Sequence, residues 1–133
     1  MAESIFGIHE SALRVRTERG AVLANNLANA DTPNFKARDI DFRAAMQEAN
    51  GSSDDLKMSS MAKTNARHIE GEGFSSTSQF LMYRQPTQPS LDGNTVETHI
   101  EKAKFMENGI QHTATLEFLN SKINGIRKAL RGE

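Results

Sequence analysis

Between Asn94 and Arg131 the chain reads NTVETHIEKAKFMENGIQHTATLEFLNSKINGIRKALR. Phe105, Gly109, His112, Leu116, Leu119, Ile123, Ile126 and Leu130 recur there at alternating four- and three-residue steps. A period of 3.5 kept up over several heptads is the seam of a coiled coil. Val96, Ile100, Ala103, Ile110 and Ala114 form a second stripe, so the predicted helix is apolar on more than one side. Asn94 with Glu97 three residues on has the spacing of a capping box, an amide replacing the usual hydroxyl. Arg127, Lys128 and Arg131 suit the negative end of the helix dipole, and Gly132 is placed to end the helix.

A helix over this stretch is roughly 57 Å long at about 1.5 Å per residue. A compact globule of this chain length has a radius of gyration of only about 14 Å, hence a diameter nearer 35–40 Å. The helix therefore outgrows the globule, and its apolar surface calls for a partner.

Working outward, the next long helix lies at the other end of the chain. Ile5, Ile8, Ala12, Val15, Val22 and Asn26 fall at helical steps over residues 5–30, and Leu13, Leu23, Leu27 and Ala30 widen their stripe. Asp31-Thr32-Pro33 ends this helix, because the proline ring disfavours a helical conformation at the residue before it. Gly20 is its weak point, costing about 1 kcal/mol relative to alanine. Residues 1–33 and 94–133 are thus expected to pair as one helical core, an elongated coiled-coil-like hairpin in a mainly α fold. Residues 34–93 differ in texture. Asp41 is placed to cap a short helix from Phe42 to Ala49, and a polar, Ser/Thr/Asn/Gly-rich stretch follows. That irregular segment has room for a β-hairpin with its tip near Glu70-Gly71-Glu72-Gly73, and Pro86 and Pro89 keep its end extended. It holds too few large apolar residues to cover two long stripes, which weighs against a self-contained monomeric hairpin.

Composition narrows the chemistry. The 133 residues carry a net charge of −1, spread evenly, so there is no electrostatic footprint for nucleic acid or an acidic membrane. No cysteine is present, which removes disulfides and thiolate metal sites. The longest apolar run, Phe80-Leu81-Met82-Tyr83, is far short of the ~18 residues of a membrane span, and no signal peptide pattern is recognisable. His9, His68, His99 and His112 lack the spacing of a helical metal site, and Gly71-Glu72-Gly73 lacks the residues of a phosphate loop. The chain is read as a non-enzyme with no cofactor. Asn25, Asn26 and Asn29 disfavour a helix by propensity. Either they fray its end, or they hydrogen-bond a neighbouring subunit and set register.

The stretch VLANNLANADTPNFK, Val22 to Lys36, resembles the N-terminal signature of the flagellar rod and hook proteins. Ala37 to Phe42, Tyr83-Arg84, Pro89 to Val96 and Glu107 to Ile123 are similar to the small proximal rod members in particular, leaving mainly residues 43–82 unmatched. The resemblance implies a structural subunit whose terminal helices line a hollow axial rod joining the MS ring to the distal rod. The implied partners are further copies, rod proteins of the FlgC and FlgF type, the adaptor FliE, the MS ring and the flagellar type III export apparatus. Export without a cleaved signal then carries the chain to the periplasmic rod of the basal body. With the stripes above, it places the assembly interface on Val15, Val22, Leu23, Asn26, Leu27 and Asn29 of the first helix. On the last helix it falls on Phe105, Leu116, Leu119, Ile123, Ile126 and Leu130. The family's export-gate pattern, a phenylalanine followed four residues later by an apolar residue, is met only by Phe42 with Met46. Gly109 and His112 depart from the alanine and aromatic residue usual in the family's seam. Asp92-Gly93-Asn94-Thr95-Val96 replaces the Pro-Asn-Val segment of FlgC-type sisters. The competing reading is a small cytoplasmic helical adaptor or export chaperone.

Overall fold

The computed structural model of the chain describes residues 6–51 and 77–132. Helix α1 spans Gly7–Ala28, strand β1 Arg38–Ile40, helix α2 Phe42–Gly51, strand β2 Leu81–Tyr83 and helix α3 Thr98–Arg131. A 3-10 turn, Thr77–Phe80, leads into β2. The predicted hairpin tip at Glu70–Gly73 and His68 lie outside the described residues.

Both long helices form where helical spacing placed them. At about 1.5 Å per residue, the 22 residues of α1 make about 33 Å and the 34 of α3 about 51 Å. They run antiparallel. His9 stacks on Phe118 with ring centroids 5.8 Å apart, Thr17 Oγ1 lies 3.2 Å from His112 Nε2, and Asn26 reaches Glu101. At the far end α3 stops at Gly132, which takes the left-handed conformation (φ 73°) and donates its N–H to the Ala129 and Lys128 carbonyls.

The start of α3 differs from the sequence expectation. The helix begins four residues later than Asn94, at Thr98, and the predicted capping box does not form. Glu97 stands at the N-cap without a side-chain cap bond, its carboxylate taking the Thr87 hydroxyl and, at 3.3 Å, the Thr87 N–H. Asn94 is buried and turned the other way. Its Nδ2 donates to the carbonyls of Asn29, Ala30 and Thr32 at 2.8–3.0 Å, and its Oδ1 accepts the Val96 N–H at 2.7 Å. An amide offers two donor hydrogens and an acceptor, so it can satisfy the carbonyls beyond α1 in a way that a hydroxyl cap cannot.

Around Asn94 the two chain segments interlock. Asn34 N–H donates to the Asp92 carbonyl (2.9 Å), Thr95 N–H to the Phe35 carbonyl (3.0 Å), and Ala37 N–H to Thr95 Oγ1 (2.7 Å). Asn34 has φ 60° and Gly93 φ 74°; a Cβ on Gly93 would sit 2.5 Å from Asn34 Oδ1. Only glycine fits there.

β1 and β2 pair antiparallel in the register Arg38–Tyr83, Asp39–Met82 and Ile40–Leu81. The bonds from Arg84 N–H to Ala37 O and from Asp41 N–H to Phe80 O, both 2.9 Å, extend the ladder at either side. Asp41 then caps α2 as its position predicted, its Oδ1 accepting the Ala44 N–H at 3.0 Å. Val15, Ile40 and Ala45 form a small core with Val22, Phe42, Met46, Phe80 and Leu81 packed half-buried around it. It lies between α1, α2 and the ribbon, leaving most of α3 outside.

Candidate assembly interface

The face that α3 turns to α1 is polar. Glu101, Asn108 and Thr115, spaced seven residues apart, are its buried positions. A heptad row of this kind normally carries apolar residues. Here each polar side chain meets a specific partner or its own helix, while the Asn108 Oδ1 is buried without a hydrogen-bond donor among the described residues. Asn108 Nδ2 donates to the Arg16 carbonyl at 2.9 Å, and Thr115 Oγ1 to the Gln111 carbonyl at 2.8 Å. Gly20 lets Asn108 approach, since a Cβ there would stand 3.3 Å from Asn108 Nδ2. The glycine read as a weak point of α1 is thus the place where α3 comes close.

Glu101, 1 % exposed, anchors a network that joins α1, β1, α3 and the residue just past β2. Arg84 Nη1 donates to one carboxylate oxygen and Asn26 Nδ2 to the other, the latter at 3.1 Å. Arg84 Nη2 also donates to Asp39 Oδ2 (2.8 Å), which Arg19 grips through Nε at 2.8 Å and Nη2 at 3.1 Å. Lys104 Nζ lies 3.9 Å from the same carboxylate. Burial alone would raise the Asp39 carboxyl. Hydrogen bonds and charge from Arg19, with the Ile40 N–H and Arg84, outweigh burial and hold it below the ordinary aspartate value. Bonding to Asp39 raises the Arg19 guanidinium in turn, against its burial. Every charge in the cluster faces an opposite one, which a buried ionic group requires.

Asn26 completes the junction. Its Nδ2 donates to the Arg38 carbonyl (2.6 Å) and its Oδ1 accepts the Arg38 N–H (3.1 Å), so one amide pairs with both backbone groups of the first strand residue. Of the two readings of the asparagines, Asn26 sets register, but within its own subunit. Asn29 Nδ2 bonds the Asn25 carbonyl at 2.8 Å in the last turn, and Asn25 itself is exposed.

The other residues assigned to the interface divide by depth. Val15 and Leu23 are buried inside the subunit, and Val22, Leu27, Leu119 and Ile123 are half-buried. Phe105, Leu116, Ile126 and Leu130 are exposed, and so are Met106, Ile110 and Phe118, which the seam pattern left out. Leu130 keeps 84 % of its surface, Ile110 71 % and Met106 67 %. The predicted seam is therefore not the line along which the two helices of one subunit meet. The polar row takes that line, and the apolar seam lies along its flank. Contiguous apolar surface on this scale marks an interaction site. Phe42 and Met46 face the small core from α2, with the Arg16 guanidinium 4.3 Å above the Phe42 ring. Among the described residues no three His, Cys, Asp or Glu side chains gather as a metal site, and no helix is long and apolar enough to cross a membrane.

Glu101, Asp39, Arg19 and Arg84 escaped the sequence reading because an isolated charge at helical spacing ordinarily points to solvent. The available signal was Arg84, a charge placed directly beside the apolar run Phe80–Tyr83.

Comparison with known proteins places this arrangement. A model of the family described as flagella basal body rod protein matches residues 6–36, the stretch that runs from the start of α1 to the interlocked turn. A flagellar basal body rod protein FlgB of Aeromonas hydrophila is 44 % identical to this chain, over 98 % of the chain and 96 % of the relative. One from Cereibacter sphaeroides (strain ATCC 17029 / ATH 2.4.9) is 42 % identical over 96 % and 94 %, and that of Escherichia coli (strain K12) 37 % identical over 92 % and 89 %.

Proposed function

The chain belongs to the flagellar basal body rod proteins, beside its FlgB relatives, and on that premise we propose that it builds the proximal rod by lateral contact through the outer side of α3. One observation carries this reading: the helix with the longest apolar repeat keeps Phe105, Met106, Ile110 and Leu116 exposed along its flank, and Ile126 and Leu130 exposed beyond the start of α1, while spending its inward face on polar bonds. Covering such side chains gains roughly 1.5–3 kcal/mol for each one fully buried. Several of them along one helix can hold a subunit in a permanent assembly.

The role is mechanical and needs no catalytic group. Further rod proteins of the FlgC and FlgF type, the adaptor FliE and the MS ring are the partners that this role calls for. The flagellar export apparatus would deliver the chain to the periplasmic rod, with Phe42 and Met46 as the segment read at its gate. Because both side chains rest against the core, α2 has to be unpacked when that reading takes place. No observation favours a cytoplasmic adaptor or chaperone.

Fractionation tests the reading. The chain should purify with basal bodies, and Leu116→Asp, on the exposed seam, should be exported yet absent from them. A wild-type chain confined to the cytoplasm, or normal incorporation of Leu116→Asp, would contradict it.

A further inference from the structure

We propose that Arg16 is a latch through which α3 holds the Phe42 and Met46 face of α2 shut against the core. What the opening of that face would serve rests on the gate reading above; the latch itself rests on separate contacts.

Arg16 stands where three helices come within reach of one side chain. It belongs to α1, its guanidinium carbon lies 4.3 Å from the centroid of the Phe42 ring of α2, and its Nη1 donates to Gln111 Oε1 of α3. α3 grips the same residue a second time, because Asn108 Nδ2 donates to the Arg16 carbonyl at 2.9 Å. Asn108 and Gln111 are three positions apart and so share a face of α3. Glu107 accepts the Gln111 Nε2–H at 3.1 Å, which orients the amide with its oxygen toward the arginine. On the α2 side, Phe42 and Met46 are one turn apart, and both pack half-buried on the core of Val15, Ile40 and Ala45.

Arginine is a costly residue for a plain lid. Its Nε is buried with no hydrogen-bond partner among the described residues. Burial and the nearby Arg19 charge pull its pKa below the ordinary arginine value, against the attraction of Glu107. Leucine or methionine would cover the ring without stranding a donor. What arginine adds is dependence on α3, since a planar guanidinium can lie on a ring face and reach an amide oxygen at the same time. With Gln111 drawn away, the guanidinium regains water by swinging out, and Phe42 loses its cover. Departure of α3 and uncovering of Phe42 and Met46 are then one event. A subunit with α3 docked conceals the segment, and one with α3 detached presents it.

The chain has no cysteine, so one introduced thiol reports on α2 alone. In purified full-length Met46→Cys, the rate of reaction with dithionitrobenzoate measures how often α2 lifts, because position 46 is half-buried. Adding Gln111→Ala, a change on α3, is expected to speed the reaction about ten-fold, the loss of one hydrogen bond from a charged group. In an Arg16→Met background the same Gln111→Ala change is expected to have no effect, because the latch is already gone. Gln111→Glu, which sets a carboxylate against the guanidinium, should slow the reaction, a direction that damage to the fold cannot produce. Equal acceleration by Gln111→Ala with and without Arg16, or acceleration in neither background, would overturn the latch. The labelling does not involve export, so the latch and the gate fail separately. A non-additive cycle with secretion unchanged by Phe42→Ala would keep the latch and remove the gate. A secretion defect in Phe42→Ala with an additive cycle would keep the gate and remove the latch.

Discussion

Asp39 shows how one side chain ties the subunit together. It accepts from Arg19 of α1 and from Arg84 just past β2, and its folded carboxyl titrates below the ordinary value. A depressed carboxyl adds stability that is fully present above the unfolded value of about 4 and is lost as pH falls through the lower folded value. Acid titration of unfolding should therefore show stability falling from about pH 4 downward, and less steeply in Asp39→Asn. At neutral pH that variant leaves the half-buried Arg19 guanidinium facing a neutral amide while Arg84 keeps Glu101, and should cost about 2 kcal/mol in a urea melt. Equal acid slopes for the two proteins would count against the network. Asn94 works by hydrogen bonding alone. Removing its amide in Asn94→Ala strands the carbonyls of Asn29, Ala30 and Thr32, and should cost about 2 kcal/mol without changing acid sensitivity.

At the scale of elements, the two long helices were legible because their apolar residues repeat at helical steps. α2 was legible because Asp41 stands before Phe42 as a cap. The seam between α1 and α3 was not. Glu101, Asn108 and Thr115 are polar at heptad spacing, a pattern that reads as a solvated face unless Asn26, Arg84 and the Arg16 carbonyl are known to lie opposite. The exchange between Asn94 and the end of α1 was hidden for the same reason, since its partners are more than sixty residues away along the chain. Two glycines test the helix packing. A Cβ at Gly109 meets nothing within 4 Å, so Gly109→Ala should stabilise α3 by about 1 kcal/mol in thermal or urea unfolding. Gly20→Ala should gain less or lose, because it presses on the Asn108 amide at 3.3 Å. In α2, Phe42 belongs to the core and to the proposed gate segment, and secretion assays can separate the two roles. Phe42→Ala should depress export, whereas Ala45→Asp, which breaks the same core at a buried position, should not. Equal export of both variants would remove Phe42 from the gate.

For the whole molecule, the polar inner seam and the apolar outer flank of α3 divide the work. Specific polar bonds set the register of a single subunit, while the apolar residues stay available to neighbours. The size argument from sequence anticipated that surplus, while the stripes and the family resemblance put Val15, Leu23 and Asn26 at the outer contact, and they are inside. Spacing identifies a stripe; it does not say which of two adjacent stripes a partner from the same chain will take. The most direct test is a density map of an intact basal body that contains this chain. Phe105, Leu116 and Leu130 should lie within about 4.5 Å of apolar atoms of adjoining subunits, with the Glu101–Arg84–Asp39 cluster unchanged inside. A map in which the outer side of α3 faces water, and neighbours are reached only through α2 and the β-ribbon, would contradict the account.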